Sequence, residues 1–160
     1  MDPKELEKEI DRFVKSLQNE DPLGVVIRGH LFIESKFIRL IEEALPDAGA
    51  IDLGRLNFPL KLDLAVALKL LPETEKRGYA QLNALRNQLA HNIDAQLLQT
   101  DERRLYLALS EEQKKVADGL QFPGNPSFAL LKASIASLAT GCLDRLFPMV
   151  TDQHKSKPSE

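Results

Sequence analysis

The chain has 160 residues, 43% of them apolar and 28% charged, the size and balance of one ordinary folded domain. A formal net charge of -3, with Lys and Arg scattered along the chain, excludes a protein that coats nucleic acid through an extended basic face, so any such contact has to be local. A single cysteine, Cys142, excludes an internal disulfide; with no basic-then-apolar leader after Met1 and no long apolar span, a cytoplasmic location and no membrane contact are expected.

The first helix is expected to start at Asp2-Pro3, with Asp2 as cap and Glu5 completing a capping-box pattern. Leu6, Ile10, Phe13, Val14 and Leu17 then share one helical face, and Asn19-Glu20-Asp21-Pro22 ends it. A second helix is expected from about Leu23 to Leu45, with the stripe Ile27, Leu31, Ile38, Ile41 and Leu45 facing the core. His30 and Glu34 occupy slots on that same stripe. Residues 50–57 read as an irregular connection. Leu60, Leu62 and Leu64 alternate with Lys61 and Asp63 as a strand would, but the Leu- and Ala-rich continuation favours one helix over 58–71, bounded by Pro59 and Pro72.

The fourth helix covers about Glu73 to His91 with the stripe Tyr79, Leu82, Leu85 and Leu89, and Asn92 is its expected left-handed terminator. Two shorter helices follow, Asp101 to Leu109 and Ser110 to Gly119, the second opened by a Ser110/Gln113 capping box. After the break at 121–126 a last helix is expected to about Phe147, with the stripe Phe128, Leu131, Ile135, Leu138, Cys142 and Leu146. Cys142 reads as a core thiol, and the polar residues 151–160 as a flexible tail. The whole reads as a single-domain, all-α bundle of five to seven helices, with short connections implying antiparallel neighbours.

The residues that suggest chemistry are Arg86 and His91, with Asn87 beside the arginine. Arginine grips a phosphate with a planar fork and stabilises charge growing on it, while histidine moves a proton near neutral pH. Together they suit metal-independent cleavage of RNA: one group activates the ribose hydroxyl or protonates the leaving oxygen, and the other stabilises the pentacovalent state. The same two residues near a helix end also serve as carbonyl caps and salt-bridge partners. Five positions correspond to a rotation of roughly 140° on an ideal helix. The two side chains therefore converge only if the helix unwinds near His91 or a partner surface wraps its end.

Glu34, on an apolar stripe, has to be paired if buried, and Arg86 is the expected partner; otherwise the stripe turns and Glu34 is half exposed. His30, one turn earlier, either lines the same site or is a satisfied core histidine. Lys61 and Arg39, with Arg103 and Arg104, are candidate phosphate contacts or ordinary solvated charges. There is no Gly-rich phosphate loop, no CxxC pair and no HExxH, and the three histidines lie in separate segments, so no metal and no cofactor is expected.

The segment Leu85-Arg86-Asn87-Gln88-Leu89-Ala90-His91 resembles the Arg-polar-x-x-x-His signature of the HEPN superfamily. Three segments in order, Ile27-Arg28-Gly29-His30-Leu31-Phe32-Ile33-Glu34, Asn57-Phe58-Pro59-Leu60-Lys61-Leu62 and the Arg86-to-His91 helix, resemble its mannitol operon repressor-like branch. The resemblance spans about Leu23 to Asn92, and the last helix matches by type only. It implies a HEPN-type bundle that forms a homodimer, the two motifs facing each other across a cleft, with Arg86 and His91 catalytic, Asn87 assisting and Glu34 at an acidic position of the second helix. It also implies two functions. One is a metal-independent endoribonuclease of toxin, defence or RNA-processing type, with RNA as substrate and an antitoxin as a partner. The other is a non-enzymatic regulatory module acting in transcriptional control through a regulatory protein, since no helix here is a base-reading helix rich in Arg, Lys, Asn and Gln.

Overall fold

A computed structural model describes residues 3–91, 94–122 and 128–155. The described residues form seven α-helices: α1 (Pro3–Gln18), α2 (Pro22–Ala44), α3 (Phe58–Ala67), α4 (Glu73–Ala90), α5 (Gln99–Ala108), α6 (Glu111–Gly119) and α7 (Ala129–Lys155). Two single 3₁₀ turns, Ala48–Ala50 and Leu53–Arg55, occupy the connection between α2 and α3. No helix among the described residues is long and apolar enough to cross a membrane.

Local chemistry sets most of the boundaries. Asp21 caps α2 by accepting the Gly24 N–H at 2.7 Å, with Pro22 in the first turn. Asn57 caps α3 in the same way, accepting the Leu60 N–H at 3.0 Å. Ser110 and Gln113 form the expected reciprocal box at the start of α6, at 3.2 and 2.9 Å. The expected cap Asp2 and terminator Asn92 lie outside the described residues. The third helix is shorter than its apolar run: Lys69 turns to φ 59°, and the Leu70 N–H returns to the Ala65 carbonyl at 2.9 Å, closing α3 before Pro72 is reached. The last helix is longer than expected and continues through Lys155, so residues 151–155 of the expected tail are helical; Pro148, inside it, withdraws only one N–H.

α2 and α7 cross through the middle of the bundle, with α1, α3 and α4 against α2 and α1, α5 and α6 against α7. One continuous core runs through it. Leu131, Ile135, Leu138, Cys142 and Leu146 of α7 and Tyr79, Leu82, Leu85 and Leu89 of α4 are all buried, as their spacing requires. Phe37 packs against Tyr79 and Phe58 at ring separations of 5.0 and 5.5 Å. The Tyr79 hydroxyl donates to the Leu138 carbonyl at 3.0 Å, and the Cys142 thiol, pushed up to about 12 by burial, donates to Tyr79 at 3.5 Å. Buried polar groups are paired across helices: Glu75 accepts from Arg145 at 2.6 Å and from Gln113 at 3.3 Å, and Lys132 donates to the Gln18 carbonyl at 2.9 Å.

The stripe expected for the second helix is displaced by one residue. Leu31 is 58% exposed and Ile27, Ile38 and Leu45 are half-buried, while Val26, His30, Ile33, Phe37 and Leu40 are buried; only Ile41 of the expected set lies in the core. The helix carries apolar residues on most of its circumference, so periodicity alone leaves its rotation open. The contact that settles it is at Gly29: a Cβ there would stand 2.3 Å from Cγ2 of Ile135, so the two helices cross backbone to side chain at this point. Leu31, two residues on and roughly 160° around the helix, is thereby turned outward.

Gly29→Ala is therefore expected to destabilise the protein by about 1–3 kcal/mol through overpacking, even though alanine favours a helix by about 1 kcal/mol. Urea unfolding measures it, and an unchanged or raised midpoint is incompatible with the close crossing.

Candidate functional site

The spacing of side chains on three elements builds one cleft. On α2, His30 and Glu34 are four residues apart and share a face; on α4, Asn83, Arg86 and Asn87 do the same at spacings of three and four. Between these faces the start of α3 brings in Asn57, Phe58 and Pro59, and together they line a cleft of about 360 Å³.

The polar groups of the cleft are held by one another. Asn57 Oδ1 is occupied by its capping bond. Asn83 Oδ1 accepts from His30 Nε2 at 3.0 Å in the tautomer that carries its proton there, and Asn87 Oδ1 accepts from the Arg86 guanidinium at 3.0 Å. All three amide oxygens are thus used internally, and among the described residues nothing accepts from their NH₂ groups. Three amides and the remaining guanidinium N–H groups are left as donors, a set that suits an anionic or oxygen-rich occupant.

Glu34 is half-buried and supplies the acceptor. Its expected partner was Arg86; instead Lys61 of α3 donates to its Oε1 at 2.7 Å. Lys61 is only 3% exposed, so its ammonium is committed to this carboxylate and is not a solvated phosphate contact. The reason is topological: α3 lies on α2, and Lys61 projects onto Glu34 from the end of its first turn, whereas the Arg86 fork is turned along α4 toward Asn87. Arg39 pairs with Glu43 one turn on at 3.6 Å and is not part of the cleft lining.

His30 is the most enclosed polar member. It is 4% exposed, its ring lies 4.5 Å from that of Phe58, and its Nδ1 is buried without a hydrogen bond, 3.9 Å from Glu34 Oε2. Burial holds its pKa below the ordinary 6.5, against the opposing pull of the Asn83 bond and the Glu34 charge. His91 occupies the C-cap of α4, is exposed, and still closes an α-helical bond to the Asn87 carbonyl at 3.1 Å. The helix therefore does not unwind before His91. Within one copy Arg86 and Asn87 line the cleft, and His91 sits one turn past Asn87 without lining it.

Asn83, Asn57, Phe58 and Pro59 were not singled out as site residues. Asn83 was findable, since it stands three and four residues before Arg86 and Asn87; the others are a helix cap and its neighbours, which carry no chemical signature of their own. Among the described residues no cluster of three or more His, Cys, Asp or Glu side chains is arranged to hold a metal ion. Comparison with family models, with curated proteins and with solved structures found no significant match, so the functional reading rests on the residues themselves.

Because folding lowers the His30 pKa, the unfolded chain binds the proton more readily, and stability is fully present above the unfolded value of 6.5 and falls as pH drops below it. Urea unfolding between about pH 7 and 5 should show this slope and lose it in His30→Gln, which keeps a donor for Asn83. An equal slope in both proteins would place the titrating group elsewhere.

Proposed function

We propose that this protein is a HEPN-type, metal-independent endoribonuclease acting as a homodimer, with Arg86, Asn87 and His91 as its reactive groups. The observation that carries the reading is the gathering of Arg86, Asn87 and the amides of Asn57 and Asn83 as donors on one cleft, with His91 exposed one turn past Asn87. In this reading the guanidinium and amide donors hold the non-bridging oxygens of a phosphodiester as its negative charge grows. The neighbouring ribose 2′-oxygen attacks phosphorus, the bond to the 5′-oxygen breaks, and the imidazole of His91 moves the proton. Arg86 and His91 diverge around α4, so the reading has two copies bring their motifs together, or one RNA strand run from the cleft across the end of the helix. A toxin, defence or RNA-processing role, with an antitoxin as a further partner, belongs to the same reading.

A second reading, a non-enzymatic regulatory module of the mannitol operon repressor-like type, is favoured by one observation. The cleft is not strongly basic, since Lys61 is neutralised by Glu34 and, among the described residues, only Arg86 lines it as a cation.

The two separate on incubation of the purified protein with mixed cellular RNA in the presence of chelator. His91→Ala is expected to lower the cleavage rate by about 10²–10⁴-fold, and Arg86→Ala by about 10²–10³-fold, each with unchanged circular dichroism. Cleavage that persists in both variants removes the assignment of these residues. No cleavage by the parent protein, with a specific protein recovered on affinity capture, moves the function to the regulatory reading.

A further inference from the structure

The wall of the cleft contains two hydrogen-bond acceptors that face each other with no donor between them. His30 gives the proton of its neutral ring to Asn83 from Nε2, which leaves Nδ1 as a lone pair. That lone pair is buried without a hydrogen bond and lies 3.9 Å from Oε2 of Glu34, whose other oxygen already accepts from Lys61 at 2.7 Å. A buried polar atom left unpaired costs stability and calls for a partner. Nδ1 has essentially no exposed surface, so neither water nor a ligand atom reaches it, and the one species small enough to enter is a proton.

A proton on Nδ1 turns the facing acceptors into a donor and an acceptor. A movement of about 1 Å by the half-buried Glu34 carboxylate closes that bond, while Nε2 keeps its bond to Asn83. The charges acting on the ring come from three helices: Glu34 on α2 favours the proton, and Arg86 on α4 and Lys61 on α3 oppose it. Burial outweighs all of them and holds the pKa below 6.5, so the ring is neutral at neutral pH. An anion held by Arg86 and the cleft amides changes that balance, because its charge favours the proton and offsets the guanidinium. The coupling is reciprocal: an anion that raises the proton affinity of His30 is itself bound more tightly once His30 is protonated. The proton then adds a second net positive charge to the one that Arg86 supplies beside the cancelled pair of Lys61 and Glu34.

We propose that the cleft takes up an oxyanion of phosphate or sulfate type together with one proton from solvent, which enters between His30 Nδ1 and Glu34 Oε2. This rests on the donor set that the proposed function assigns to the phosphate, and not on His91 or on cleavage. Titration calorimetry of the full chain with sulfate tests it. Affinity is expected to rise about 3- to 10-fold as the pH falls from about 7.5 to 5.5, and heats recorded in two buffers of different ionisation enthalpy should report proton uptake. His30→Gln keeps a donor for Asn83 and has nothing to titrate, so it should bind sulfate without pH dependence and without uptake. The parent chain gives a check that needs no variant: it has three histidines, and the imidazole resonance that titrates below pH 6.5 should move its midpoint upward when sulfate is added. A deoxydinucleotide, with one diester phosphate and no 2′-hydroxyl, identifies the source of the anion. Proton uptake with it as well as with sulfate makes the ligand a nucleic-acid strand; uptake with sulfate alone makes it a small free oxyanion. Absence of sulfate binding, binding without proton uptake, or a midpoint that sulfate leaves in place would each overturn the proposal. Proton-coupled binding with no cleavage of RNA removes the ribonuclease reading alone, and cleavage beside pH-independent sulfate binding removes this one alone.

Discussion

The rotation of α2 about its own axis is the constraint on which most of this molecule depends. A 23-residue helix with apolar residues on most sides has several faces that would serve as a core face. The crossing at Gly29 against Ile135 selects one of them, because only a residue without a Cβ lets α7 approach there. Once Gly29 is placed, His30 is carried inward beside Phe58, Glu34 is carried to the edge where Lys61 reaches it, and Leu31 is carried to the surface. A one-residue rotation would instead bury Leu31 and carry Glu34 inward, away from the edge where Lys61 reaches it.

The electrostatics of the cleft follow from the same placement. A lysine buried on α3 needs a carboxylate, and Glu34 is the group that α2 turns toward it. That pairing leaves the arginine on α4 with the side-chain amide of Asn87 as its hydrogen-bonded partner. Each cleft asparagine is likewise oriented through its oxygen, once by a backbone N–H, once by an imidazole and once by a guanidinium. The cleft therefore presents donors held in fixed directions, the arrangement that stabilises charge with little reorganisation.

Helix class and count, the stripes of α4 and α7, and the capping box of α6 were legible in the residues, because in each of these a single apolar face or a local hydrogen bond decides the outcome. The rotation of α2 was not, since it depends on a contact between residues 106 positions apart, Gly29 and Ile135. The end of α3 was missed for a different reason: Lys69 in a left-handed conformation replaces the glycine or asparagine that usually announces such a stop. At the cleft, Arg86 and Asn87 were visible by their spacing, as were His30 and Glu34. The pairing of Glu34 was not, because the choice between Lys61 and Arg86 is made by how α3 lies on α2. Asn83 escaped because its role arises only when His30, 53 residues away, is brought against it.

The burial of Cys142 has a practical consequence. A thiol sealed under Tyr79 and held protonated to about pH 12 offers neither access nor a thiolate to alkylating reagents in the native state. Since it is the chain's single cysteine, a new cysteine introduced on the surface would be the sole group to take up a maleimide fluorophore or a nitroxide spin label, without first mutating the core. Distances between labels can then be recorded on a protein whose interior packing is unaltered.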